Sequence, residues 1–282
     1  MCDVLTVVKC RVSTLTHVIA SQGRGGVWAV TSLDDDVFVG RWIGQQVEVY
    51  DAGTFTLQRH ITVQGISGCS GMTACARNRC LYLSNASSVN RVELSGSNAV
   101  KTWSVAGCPQ GLSVNIAHNL VVVCGRPMRI QEYTTHGSLV REICLQAGVT
   151  KPCHAIQLST GDYVVSQCTS PGVVSVVGVD GQVLHSYGQS QTSDVGQMKD
   201  PTSLAVTKND NILVADYSNN RIVSINRSMH KTVYKNWLCR LTVEYGCHLV
   251  CVWMSHEIDF MSVTIECWLS MVLDCNRFPS SR

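Results

Sequence analysis

The chain has 282 residues, 15% of them charged and 45% hydrophobic, with a formal net charge of +2. That length allows one large domain or two ordinary ones, and the charge balance excludes a broadly basic nucleic-acid binder or an acidic tail. Valine is over-used while Phe and Pro are scarce, a bias that favours strand over helix.

In chain order, the first 26 residues hold two apolar stretches, 4–8 and 14–20, expected to supply strands that close a ring. From residue 27 onward short apolar runs alternate with Asn, Asp, Ser and Gly turns, the pattern of antiparallel strands. First strands are predicted at 27–30, 72–75, 111–114, 154–158 and 203–206. Second strands follow at 37–40, 81–84, 121–124, 163–166 and 212–215, and third strands at 47–50, 91–94, 129–133, 173–177 and 221–225. Fourth strands close four of the units, at 57–63, 100–105, 139–145 and 183–187. Turns such as Asp51-Ala52-Gly53, Ser95-Gly96-Ser97 and Asp180-Gly181 join third strands to fourth ones. Four short strands recurring every ~40–45 residues is the spacing of β-propeller blades, so the expected fold is an all-β propeller of about five recognisable blades.

One unit is fuller than the rest. Residues 200–226, DPTSLAVTKNDNILVADYSNNRIVSIN, carry a Pro at the first strand, an apolar second strand ending in Asp, then Asn-Arg-Ile: Pro201, Asp216, Asn220, Arg221 and Ile222. This run resembles the NHL repeat. Asn90-Arg91-Val92, Arg129-Ile130, Pro109 and Pro152 keep parts of the pattern, while Arg41, Asn85, Gly125 and Gln167 stand where the Asp is expected. The resemblance covers roughly residues 27–226. It implies a propeller similar to the C-terminal, substrate-recognising domain of tripartite-motif ubiquitin ligases, with protein partners and, in some such propellers, single-stranded RNA. No RING-type Cys/His array precedes the repeats, since Cys69, Cys75 and Cys80 lack paired CxxC spacing.

After Asn226 the punctuation changes. Residues 227–282 hold five Cys, three Trp and four Met but one Gly and one Pro, an atypical tail that suggests a different origin. Within it, residues 249–273 are apolar but interrupted by His256, Glu257, Asp259 and Glu266, against a membrane span. The fifteen cysteines are odd in number and show no disulfide framework. Reduced thiols packed as small hydrophobes, as at Cys124, Cys144 and Cys168, are expected, and with them a cytoplasmic setting.

Candidate chemistry is sparse. Asp216 is read as a turn cap whose carboxylate meets Arg221 across the hairpin. Asp34, Asp35 and Asp36 are adjacent in a turn, so their side chains diverge rather than form a calcium site. Cys153 and His154 are neighbours on one strand and point to opposite faces, which keeps them from acting as nucleophile and base. No GxSxG, Walker loop or HExxH is present. The chain is therefore expected to be a binding or scaffold module rather than an enzyme, without cofactor or metal. The alternative is a gluconolactonase-like, metal-dependent hydrolase propeller. Partner contacts are expected on the turns after the second strands, from Arg41, Trp42, Arg126 and Tyr217. The two arginines also suit phosphate, and Trp42 and Tyr217 suit packing between blades equally well.

Overall fold

The computed structural model describes residues 3–7, 17–21, 27–41, 44–66, 69–188, 197–207, 211–219 and 221–226. β1 (Asp3–Val7) and β2 (His17–Ser21) pair antiparallel as a two-stranded sheet of their own. They pair with each other where ring-closing strands were expected. The remaining strands form five consecutive antiparallel meanders, the blades of a propeller.

The first blade is β3 (Val27–Leu33), β4 (Asp36–Arg41), β5 (Gln46–Asp51) and β6 (Leu57–Thr62). The second is β7 (Gly71–Cys75), β8 (Cys80–Ser84), β9 (Ser88–Glu93) and β10 (Val100–Ser104). The third is β11 (Pro109–Val114), β12 (Leu120–Gly125), β13 (Met128–Tyr133) and β14 (Leu139–Cys144). The fourth is β15 (Pro152–Gln157), β16 (Tyr163–Gln167), β17 (Val173–Val177) and β18 (Val183–Tyr187). The fifth has β19 (Pro201–Val206), β20 (Ile212–Asp216) and β21 (Arg221–Ile225) among the described residues. The innermost strands β3, β7, β11, β15 and β19 touch in that order.

Period-two alternation explains the stacking. Along β12, Leu120, Val122 and Cys124 pack toward the second blade, while Val121 and Val123 pack toward the fourth. Along β16, Tyr163 and Val165 face the third blade and Val164 faces the fifth. These second strands are thus apolar on both sides, so their runs read as continuous rather than alternating hydrophobicity. Each fully buried Val or Leu contributes about 1.5–3 kcal/mol. Fourth strands carry exposed polar positions, as in β6 and β14, because only one of their faces meets a neighbour.

Four of the five innermost strands, all but β3, start earlier than predicted. Pro109, Pro152 and Pro201 each pair with the end of the second strand, and the register then shifts by one residue. Pro lacks an N–H, so it occupies the first position, and the bulge after it bends the strand. In the third blade this register sets Cys124, not Gly125, opposite the leading Pro.

Two cysteine expectations are corrected. Cys153 and Cys168 are joined by a disulfide, with Cα atoms 6.2 Å apart, and Cys144 is exposed. Cys153 is the bulged residue after Pro152, which brings it beside the residue following Gln167. Cys144 ends a fourth strand, where no next layer covers it. Cys124 is buried as expected, and burial pushes its thiol up to about 12. Among the described residues no helix is long and apolar enough to cross a membrane. The tail 227–282 lies outside the described residues.

Candidate functional site

The turns between second and third strands share one end of the ring with the connections that lead into each innermost strand. Asp216 shows why the repeat needs an acid there. It is fully buried; its Oδ1 accepts the N–H groups of Lys199 (2.9 Å) and Asp200 (3.2 Å), and its Oδ2 accepts the Asn219 amide at 2.7 Å. The carboxylate therefore clamps the segment that delivers Pro201 to β19. Asp216 and Arg221 are register partners, as the hairpin reading required, but the Arg221 side chain and Asn220 lie outside the described residues. Pro201 is buried against Gly172, where a Cβ would come within 2.3 Å of the proline ring.

The other blades solve the same problem with different side chains. Gln167 stands opposite Pro152; its Oε1 accepts the Thr150 N–H at 2.9 Å and its Nε2 donates to Ser175 Oγ at 3.0 Å. Asn85 turns inward on its own loop, with Oδ1 accepting the N–H groups of Ser87 and Ser88. At Arg41 the polarity is reversed. The guanidinium is buried and bidentate on Glu48, with Nε at 2.7 Å and a second nitrogen at 3.3 Å, and Tyr50 donates its hydroxyl to the same carboxylate at 2.8 Å. Burial, then the hydrogen bond to Glu48, push the Tyr50 phenol well up. Arg41 was expected on the open face; it is the cation of an interior ion pair instead. Beside it a small, partly open cleft, with room for about one water, is lined by Arg41, Gln45, Gln46, Ile66 and Cys69.

Arg126 lies in the turn between β12 and β13 and is exposed. Only Arg126 and Pro127 separate β12 from β13, and Gly125 pairs with Met128 across the turn, so the Arg126 side chain projects into solvent. Its guanidinium makes no hydrogen bond or ion pair with the described residues, and Met128 next to it is 36% exposed. Tyr217 begins a short 3-10 turn, Tyr217–Asn219, and is half-buried with its N–H on the Asp200 carbonyl. Trp42 lies outside the described residues.

His154 belongs to the ring itself. Its Nδ1 accepts the Leu204 N–H at 3.1 Å, which fixes the proton on Nε2, and Nε2–H donates to the Leu112 carbonyl at 2.9 Å. One neutral imidazole thus joins the innermost strands of the third, fourth and fifth blades. Burial holds its pKa down at about 4, against the smaller opposing effect of the Leu112 carbonyl. Gly111 makes room for it: a Cβ there would lie 2.5 Å from the Cys153 carbonyl and 2.6 Å from the imidazole. Asp34 and Asp36 pair with different arginines, Arg79 and Arg59. Among the described residues no three His, Cys, Asp or Glu converge as a metal site.

The NHL repeat profile matches residues 198–223. That is the fifth blade with its clamp, Asp216, and its leading Pro201. A search of curated proteins gives no match. Among solved structures, a protein of unknown function from Bacteroides caccae aligns with a TM-score of 0.58 at 16% identity, over 77% of this chain and 74% of that one. A streptogramin B lyase aligns with a TM-score of 0.59 at 12% identity, over 74% of this chain and 68% of that one. Virginiamycin B lyase from Staphylococcus aureus aligns with a TM-score of 0.59 at 14% identity, over 76% and 71%. At these identities the likeness establishes the propeller fold. It also corrects the expectation that the chain is no enzyme. Two of these similar propellers are lyases, so this architecture houses catalysis, and missing hydrolase motifs do not separate the chain from them.

Proposed function

We propose that the chain is a docking module that receives a protein partner on the end of the ring formed by the second-to-third-strand turns. The observation carrying this is the Arg126–Pro127 turn, which sets a guanidinium without a partner among the described residues beside the exposed Met128. Arg and Met are enriched at interface cores, and a two-residue corner holds them with little entropy left to lose on binding. The role that fits is the one the NHL resemblance implies: selection of a target protein, as in tripartite-motif ubiquitin ligases.

Single-stranded RNA is the weaker occupant. Backbone tracking needs several free cations along a groove, and of the two arginines suited to phosphate, Arg41 is already held by Glu48. The test is site-specific photo-crosslinking in the full chain from position 128, compared with Ile116 at the opposite end of the ring. Ile116 is 63% exposed and serves as a control at least as accessible as position 128. Crosslinks to a discrete protein from 128 but not 116 support the reading. Crosslinks to RNA, or to protein from 116 alone, contradict it.

A further inference from the structure

Cys75 and Cys80 close the β7–β8 hairpin, directly opposite one another in its register. Directly paired residues of antiparallel strands place their side chains on one face, with Cα atoms about 4.5–5.5 Å apart, inside the range a disulfide spans. Both are free thiols, both are buried, and both lie in the core cluster between the second and third blades.

The surroundings treat the two sulfurs differently. The Asn78 side-chain amide donates to Cys75 Sγ at 3.3 Å. The same Nδ2 reaches the His118 carbonyl at 3.4 Å, an obligate acceptor, which settles the amide's orientation. The Asn78 backbone N–H and the Cys80 thiol also donate to Cys75, and His118 adds a favourable charge effect. Those donors, the Cys80 thiol foremost, draw Cys75 well below the usual thiol range against the opposing effect of burial. Its own bond to Cys75, and then burial, push Cys80 up. One sulfur is favoured as thiolate and the other as thiol, on adjacent strands. Between them runs a solvent-exposed turn, in which Ala76, Arg77 and Arg79 are exposed.

We propose that Cys75 and Cys80 form an oxidisable dithiol site, in which a hydroperoxide oxidises Cys75 and Cys80 resolves it to a cross-strand disulfide. The Cys75 thiolate attacks the peroxide; an S–O bond forms, the O–O bond breaks, and hydroxide or alkoxide leaves. Cys80 then attacks the sulfenic sulfur; the S–S bond forms, the S–O bond breaks, and water departs with the Cys80 proton. The two thiols supply both electrons that reduce the peroxide. Asn78 loses its acceptor on Cys75 in the process, so the side chain that ties this hairpin to His118 of the third blade is released on one side. The site lies at the end of the ring opposite the Arg126 turn and does not depend on the docking reading.

Tryptic cleavage at Arg77 and Arg79 makes the test direct. The reduced full chain is exposed to hydrogen peroxide, remaining thiols are alkylated, and the digest is mapped by mass. The expected product is peptide 60–77 joined to peptide 80–91 with the loss of two hydrogens, fragmentation placing the link at Cys75, and its disappearance on reduction. Cys80→Ser is expected to leave Cys75 as a sulfenic acid that dimedone labels, and Cys75→Ser to lose both the link and the label. The wild-type map decides the matter even if a variant does not fold. Full alkylation of Cys75 and Cys80 after Cys108 and Cys144 have oxidised overturns the proposal, as does a link through Cys69, the other cysteine of peptide 60–77.

Discussion

Acidification is expected to loosen this ring through His154. In the fold the imidazole has a pKa of about 4, whereas the unfolded chain takes up the proton near the ordinary value of about 6.5. Between those values the unfolded state binds more protons, so the contribution of His154 is complete above about pH 6.5 and is lost as pH falls toward 4. Linkage puts the loss at about 2 kcal/mol by pH 5 and about 3 kcal/mol by pH 4. Carboxylates titrate in the same range, so the comparison is with His154→Gln, which keeps an acceptor and a donor but no titrating ring. At pH 7 the variant is expected to be about 1–3 kcal/mol less stable, the cost of imperfectly met Leu204 N–H and Leu112 carbonyl groups. Urea unfolding at pH 7, 6 and 5 should show the wild-type advantage shrinking while the m-values stay equal. If the two proteins lose stability in parallel between pH 6.5 and 5, His154 is not the neutral tie described here.

Other substitutions separate structural residues from exposed ones. Gly111→Ala should cost more than about 2 kcal/mol in denaturant unfolding, because its Cβ meets the Cys153 carbonyl and His154, both fixed in the ring. Arg41→Ala should cost about 3–5 kcal/mol by leaving Glu48 buried and unpaired, and Arg41→Met with Glu48→Leu should recover most of that loss. Asp216→Ala should raise hydrogen exchange at Lys199 and Asp200 more than elsewhere, since both amides lose their acceptor. Arg126→Ala should leave the unfolding midpoint within about 0.5 kcal/mol of wild type.

Much of the fold was legible because a blade is local. The predicted second strands coincide with β4, β8, β12, β16 and β20 to within a residue or two, and turn chemistry marked the third-to-fourth hairpins. The innermost strands were read short, because a leading Pro suggests a boundary when the bulge after it lets the strand begin there. The candidate site was less legible. Arg41 looked like a loop residue because its partner Glu48 is revealed only by the β4–β5 register. His154 binds backbone atoms of residues 42 and 50 positions away, and no side-chain pattern announces a backbone partner. Cys153 and Cys168 are 15 residues apart, and the bulge that brings them together has no spacing signature. Arg126 was legible, since an Arg-Pro corner between two short apolar runs has nowhere to point but solvent.

The docking claim is tested most directly by charge reversal at that corner. With the partner identified by crosslinking from position 128, its affinity should be measured for the wild-type chain, Arg126→Glu and Ile116→Asp. The account predicts that Arg126→Glu weakens binding about tenfold or more while Ile116→Asp binds as wild type. Unchanged affinity for Arg126→Glu, with loss on Ile116→Asp, would place the partner at the other end of the ring and contradict it.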